Sequence, residues 1–410
     1  MKNIKLKSIF GILFFFLLIS RILTLTGNYN FPISPVMLQI IYIILISIIL
    51  IRTSTDNATI KVKKQKSFFT IIILLLLHTI LWGTMFVNPS LIDLTSSMFK
   101  SQIMFLIVVL ITLWATIRLD AIDILIKSSF YAISCILIIQ LILNFSELNL
   151  SNIANIMSKE ERYRANFGFG HYNTLGGACL CNIVLWTLLD KKKLKNIIYY
   201  IFLLVSIIML LCSASRSSLT ALALFLVIYA LGRIFKNKKS GKRILLNKII
   251  KVGIIIALFL IAININVSAA LEESQRTLIF EKAIPVFLNS GRILQGLGYV
   301  SNTAYGTNLT PYTTYWLDNG YAYILISTGV LGFLIILVAI ILLIKKIGFT
   351  SNDYIKSKVF PILIIYLYTC LFETNLFNSG YIANYIYLVI FLYYIYYEND
   401  KLIKNKEKER

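Results

Sequence analysis

Long apolar runs alternate with short polar intervals along the whole chain. The runs fall at about 8–26, 36–51, 68–87, 102–117, 123–145, 171–189, 197–214, 217–235, 249–268, 320–344, 359–377 and 380–397. A helix rises about 1.5 Å per residue and a bilayer core is roughly 30 Å thick, so ~20 apolar residues make one crossing. The pattern predicts an all-α polytopic membrane protein of about twelve transmembrane helices, forming one integral membrane domain over residues 1–410. An even number of crossings returns both termini to the same side.

Composition agrees with this pattern. The chain is 58% hydrophobic and 14% charged, with a mean hydropathy of +0.80. A soluble domain carries about 25% charged residues, so this chain lacks the polar surface to cover one. The net charge of +22 does not indicate nucleic acid. Its basic residues sit in short runs between apolar segments, at 61–66, 191–195, 236–243, 345–346 and 401–410. Cytoplasmic loops look like this under the positive-inside rule. With the N-terminus inside, the richest runs all fall on one side, which predicts a cell-membrane protein with both termini cytoplasmic. The last run reads as a solvated basic tail near anionic lipid. The N-terminus resembles a signal peptide, but Arg21 interrupts the apolar stretch and no small-residue cleavage site follows. It reads as a retained first helix.

The five cysteines, Cys135, Cys179, Cys181, Cys212 and Cys370, lie in or at the ends of apolar runs. No structural disulfide is expected from that placement. Cys179 and Cys181 are one residue apart, not two, and no histidine lies near enough to complete a metal site, so no metal is expected.

Two outer segments are long, 146–170 and 269–319. Long loops tend to be functional or disordered, and the aromatic content of the second, including Phe280, Tyr299, Tyr305 and Trp316, argues against disorder. Within it, 272–288 reads as an amphipathic helix with Ile279, Phe280, Ala283, Ile284, Phe287 and Leu288 on one stripe. Such a helix would lie in the outer interface or over a cavity, with Pro285 as a kink. The stretch 291–319 is rich in Gly, Asn, Thr and Tyr and suits an irregular lid over a hydroxylated ligand.

Three polar islands interrupt the apolar pattern. The first, 162–177, contains Arg162, Arg164, His171 and Asn173. The second, 212–218, contains Ser215-Arg216-Ser217. The third, 315–321, contains Asp318, Asn319 and Tyr321. Helix counting puts all three on the outer face. An arginine at the membrane boundary costs ~1–3 kcal/mol unless it snorkels or is paired, and its planar fork of donors suits a diphosphate. Arg164 and Arg216 are therefore candidate pyrophosphate binders, with Arg21, Arg276 and Arg292 as further basic candidates. Asp318 is a candidate general base for a sugar hydroxyl. Plainer roles exist for each: Asp318 or Asn319 as a helix cap, the arginines as snorkelling groups, His171 as a polar residue at a helix start, His78 as a structural residue and Glu373 as a spare acid.

These islands resemble the superfamily of O-antigen ligases and Wzy-type polysaccharide polymerases. Arg164 followed by Asn166-Phe-Gly-Phe-Gly-His-Tyr-Asn-Thr-Leu-Gly is similar to the family's Arg-then-Phe-Gly-x-x-x-Asn element. Ser215-Arg216-Ser217 is similar to its Ser-Arg-small turn. Asp318-Asn319-Gly320-Tyr321, followed by Gly329-Val-Leu-Gly332, is similar to its [His/Asp]-Asn-x-Tyr…Gly-x-x-Gly element. The resemblance covers 162–332. It implies a GT-C-like bundle with the long extracytoplasmic loop before the tenth crossing. It also implies a glycan donor on undecaprenyl pyrophosphate, an acceptor hydroxyl on another lipid-linked unit, and no cofactor or metal. A chain-length regulator and a flippase would be the expected protein partners. In the ligases a histidine stands where this chain has Asp318, which favours a polymerase.

Two other classes compete. A flippase or transporter of lipid-linked oligosaccharide would show two similar halves and charges near the midplane, and the sequence shows neither. The other GT-C branch carries an acidic pair in the first external loop, and 27–35 holds no acid.

Overall fold

The apolar runs become helices because no water is present at membrane depth to satisfy free backbone groups, and a helix satisfies its own. The computed structural model describes residues 2–26, 34–54, 66–148, 164–189, 197–236, 279–307, 309–311, 317–350 and 352–397. Expectations for 149–163 and for the run at 249–268 lie outside them. The helices are α1 (Lys2–Leu23), α2 (Pro35–Ser54), α3 (Lys66–Ile80), α4 (Ile92–Leu119), α5 (Ile122–Leu143), α6 (Tyr172–Leu188), α7 (Ile197–Ser213) and α8 (Arg216–Lys236). Two short helices follow, α9 (Ile284–Asn289) and α10 (Asn302–Gly306), and then α11 (Gly320–Gly348), α12 (Phe360–Thr369) and α13 (Ile382–Tyr397). Among the described residues, six helical segments are long and apolar enough to cross a membrane: Ile4–Leu23, Pro35–Thr53, Lys66–Met85, Pro89–Leu119, Ile122–Leu143 and Gly320–Gly348. Hydroxyl groups on them bond back into their own helix, as Thr70 does to the Lys66 carbonyl and Thr116 to that of Thr112.

Bonds between helix ends mark two separate ends of the bundle. On one face Lys7 bonds the Asp120 carbonyl, and the Tyr393 phenol bonds the Asp120 carboxylate. On the other, Arg21 bonds the Ser379 carbonyl. Apolar on all sides, α13 is the central post, with Tyr385, Ile386, Val389, Ile390 and Ile395 buried. Around it, α1 packs on α5, α6 on α7 and α5, α3 on α11, and α8 on α12.

Two departures from regular helix shape the second face. The run at 359–377, expected as one crossing, is helical only to Thr369. Residues 370–380 are irregular, yet Cys370, Thr374, Leu376, Phe377 and Ser379 are buried. Distant side chains replace the missing helix bonds. The Tyr366 hydroxyl accepts from the Phe377 amide at 2.8 Å, and Asn384 donates to the carbonyls of Asn375 and Asn378, both at 2.6 Å. Gln102 donates to the Phe377 carbonyl and accepts from the Ser379 amide. Irregular backbone at depth survives only with such partners.

The second departure is inside α11. Gly329 has φ 68° and ψ −173°, which breaks the helix. Segment 293–298 fills the break: Leu297 and Gly298 donate to the carbonyls of Ile326 and Ser327, and Val330 and Leu331 donate to those of Ile293 and Leu294. A Cβ on Gly329 would overlap the Leu294 carbonyl and the Gly296 amide. Only glycine tolerates both this conformation and this approach. Of the expected amphipathic helix 272–288, Ile279–Ala283 is a π turn that runs into α9, with Phe287 buried. Residues 272–278 lie outside the described set.

Candidate functional site

The first polar island is held by anchors on both sides. The Glu147 carboxylate accepts the amides of Asn166 and Phe167 at 2.9 and 2.8 Å. Phe167 and Gly168 take left-handed conformations, and the Phe167 and Phe169 rings are buried. Gly170 donates to the Leu25 carbonyl at 2.9 Å, and Thr26 pairs with Phe169. The chain is thereby fixed at the end of α1. Arg164 places its guanidinium over the Tyr172 ring, 4.3 Å from the centroid, a stacking that orients the fork. His171 caps α6, its Nδ1 accepting from the Asn173 amide at 3.2 Å.

The second island is the tight turn from α7 into α8. Ala214 is left-handed (φ 47°), and Ser215 is buried. The Ser215 hydroxyl lies 3.3 Å from that of Ser217 and 3.1 Å from that of Ser218. Gly176 of α6 packs directly on this turn, and a Cβ there would overlap Ser215. Arg216 is half-buried at the head of α8. The amide of Ala165 donates to the Cys212 carbonyl at 3.2 Å, which joins the first island to the second.

The third island divides its labour. Asn319 caps α11, accepting from the amides of Tyr321 and Ala322, both at 3.0 Å. The cap role that the sequence left open between Asp318 and Asn319 therefore falls to Asn319. Asp318 accepts from Asn302 at 3.3 Å. The Tyr321 phenol donates to the Leu367 carbonyl, and Gly320 donates to the Cys370 carbonyl at 2.7 Å. Asn319 and Tyr321 thus serve the helix start and its packing and do not line the cavity described below, and Gly320 ties α11 to the irregular turn that carries Glu373.

Electrostatics link the islands. His171 is exposed at the rim, yet the protein around its base removes enough water to hold its imidazole below the ordinary value. The Asp318 charge pulls it up and the Arg164 charge pushes it down, so both groups lie within reach of this one ring. The Ser217 hydroxyl donates to Glu373 at 3.4 Å. The charges of Glu373 and Asp318 both act on the Tyr381 phenol, which lies 3.1 Å from the Thr374 hydroxyl. A cavity of about 50 Å³ opens beside Ser217 and Glu373, lined in part by Asn173, Ser217, Ser218, Glu373, Asn375 and Tyr381.

Arg164, His171, Asn173, Asp318 and the head of α8 at Arg216 thus gather on one face. Arg21 lies on that face, bonded to the Ser379 carbonyl at 2.8 Å and stacked 5.3 Å over Tyr385. Arg292 stands apart, donating to the Gly296 carbonyl at 2.9 Å and to that of Phe86 at 3.5 Å beside the broken helix. Arg162 and Arg276 lie outside the described residues. The sequence reading undervalued Glu373 and Ser217. A carboxylate inside an apolar run is expensive, and that cost was the available signal for Glu373.

The chain is an α-helical protein with several helices of membrane-spanning length and apolarity, which marks it as membrane-embedded. Comparison with protein-family models, curated proteins and solved structures found no match to it.

Proposed function

We propose that this protein is a metal-independent membrane glycosyltransferase that polymerises undecaprenyl-pyrophosphate-linked oligosaccharide repeats into a capsular or O-antigen-type surface polysaccharide. In this reading it crosses the cell membrane about twelve times, keeps both termini in the cytoplasm and works on the outer face. One observation carries the reading: the segment bearing Arg164 is bonded through Ala165 to Cys212 beside Arg216, on the face where Ser217 meets Glu373, and Arg164 and Asp318 both act on His171 there. Guanidinium groups bind a diphosphate through paired donors, and carboxylates accept a hydroxyl proton.

The chemistry is one displacement. An acceptor sugar hydroxyl gives its proton to a carboxylate, and its oxygen bonds the anomeric carbon of the donor. The bond from that carbon to the pyrophosphate oxygen breaks, and its electron pair leaves with the lipid pyrophosphate. Arg164 and Arg216 stabilise the charge that develops there. Positioning does most of the rest.

Deletion of the gene tests the reading. The expected result is that single lipid-linked repeats persist on the outer leaflet while long chains vanish. The break of α11 at Gly329 favours a second reading, a flippase or transporter of lipid-linked oligosaccharide, since many secondary transporters build their substrate sites from discontinuous helices. A flippase would leave the units on the inner leaflet, and loss of that outcome removes this alternative. An O-antigen-ligase-type transferase would leave polymer intact but unattached.

A further inference from the structure

The site holds two carboxylates in different company, and that difference assigns their work. Asp318 is tied into the loop before α11: it accepts from Asn302, whose own carbonyl oxygen holds the Leu317 amide at 2.8 Å. Its charge bears on His171 at the rim. It does not line the cavity. Glu373 does, together with Asn173, Ser217, Asn375 and Tyr381.

The surroundings of Glu373 suit a group that handles one hydroxyl. Ser217, one of its partners, donates to Oε1 at 3.4 Å, so a hydroxyl already stands beside this carboxylate at the cavity wall. Gly320 and the cavity wall fix the backbone on which Glu373 stands, since the Gly320 amide is bonded to Cys370 and a Cβ at Gly320 would crowd the Glu373 carbonyl. A cavity of about 50 Å³ has room for a few waters, and so for the hydroxyl end of an acceptor. The α6 face that carries Asn173, Thr174 and Gly177 forms the opposite wall. The Arg164 segment leads directly into that helix.

Building on the polymerase reading, we infer that Glu373 is the general base that takes the acceptor hydroxyl's proton, in a subsite formed with Ser217 and Asn173, and that Asp318 is a positioning residue that holds the loop before α11 through Asn302. The proton passes from the acceptor oxygen to the Glu373 carboxylate as that oxygen bonds the anomeric carbon. The pyrophosphate leaves with the electron pair of the broken bond.

The test uses the full-length protein in liposomes with lipid-linked repeats extracted from the deletion strain. The readouts are chain elongation and binding of undecaprenyl pyrophosphate. E373Q is expected to lose elongation by ~10²-fold or more while binding undecaprenyl pyrophosphate within about twofold of wild type. D318N is expected to keep elongation within about tenfold and to move the His171 titration down. E373Q that elongates at the wild-type rate overturns the assignment, as does D318N with the larger loss. If E373Q does not fold, E373D decides. It keeps the carboxylate and withdraws it by one methylene, so elongation should fall at least ~tenfold with undecaprenyl pyrophosphate binding unchanged, and wild-type elongation in E373D overturns the assignment. Wild-type protein that makes no polymer from these repeats removes the polymerase reading itself, a result separate from any variant.

Discussion

The amide of Ala165 donates to the carbonyl of Cys212 at 3.2 Å. This bond joins the segment entering α6 to the turn between α7 and α8, and so brings Arg164 and Arg216 to one region from separate parts of the chain. Gly176, packed without a side chain on Ser215, reinforces the same junction one helical turn further on.

Replacing either arginine should therefore remove stabilisation of the leaving pyrophosphate. R164A and R216A are each expected to lower chain elongation by ~10²–10³-fold, with the protein present at its normal level. Lysine at either position should restore part of the activity, because it keeps the charge and loses the fork. Glycan ladders and immunoblots of the same membranes measure both quantities. Near-normal polymer in both alanine variants would rule out this site.

His171 provides an electrostatic ruler. Burial and Arg164 lower its imidazole pKa, and Asp318 raises it. R164A should move the His171 titration up, and D318N should move it down. The chain has two histidines, so two imidazole signals are expected in a histidine-labelled NMR sample, and H171Q identifies the one that matters. The linked stability has a fixed sign. A folded pKa below the ordinary 6.5 means that the contribution is complete above about 6.5 and is lost as pH falls towards the folded value. Across that window wild type should lose thermal stability relative to H171Q as pH falls. Shifts of equal sign in R164A and D318N would contradict the arrangement.

Gly329 should resist substitution. G329A places a Cβ against Leu294 and Gly296 and imposes a backbone conformation costing ~1–3 kcal/mol. Its unfolding midpoint should drop well below wild type. Gly177 is the control: it sits within α6 with nothing within 4 Å of an added Cβ, so G177A should unfold at or above the wild-type midpoint.

Gln102 should matter more than its distance from the cavity suggests. It satisfies both the Phe377 carbonyl and the Ser379 amide. Q102L leaves two buried backbone groups without that partner, at ~1–3 kcal/mol each. Lower thermal stability and weaker elongation are expected together, since the Glu373 turn loses a support. A Q102L variant as stable as wild type would show that the turn does not depend on this bond.

The sequence alone was enough to locate most membrane-length helices, because a run of some twenty apolar residues is a local property and the bilayer sets its length. It also exposed Arg164, Arg216 and Asp318, since polar groups stand out against such a background. Their roles were harder to read. Whether Asp318 or Asn319 caps α11 depends on a rotamer and two amides, and only the fold assigned the cap to Asn319.

The rest was decided by contacts between residues far apart in the chain. Residues 370–377 are apolar enough to pass for the end of a helix, yet Tyr366, Asn384 and Gln102 hold them as an irregular turn and bring Glu373 beside Ser217. Arg292 looks like Arg164 in sequence but is drawn away to Gly296 and Phe86. Local composition chooses where helices form, because each satisfies its own backbone. Which polar groups meet is set by packing between helices, and that information is spread over the whole chain.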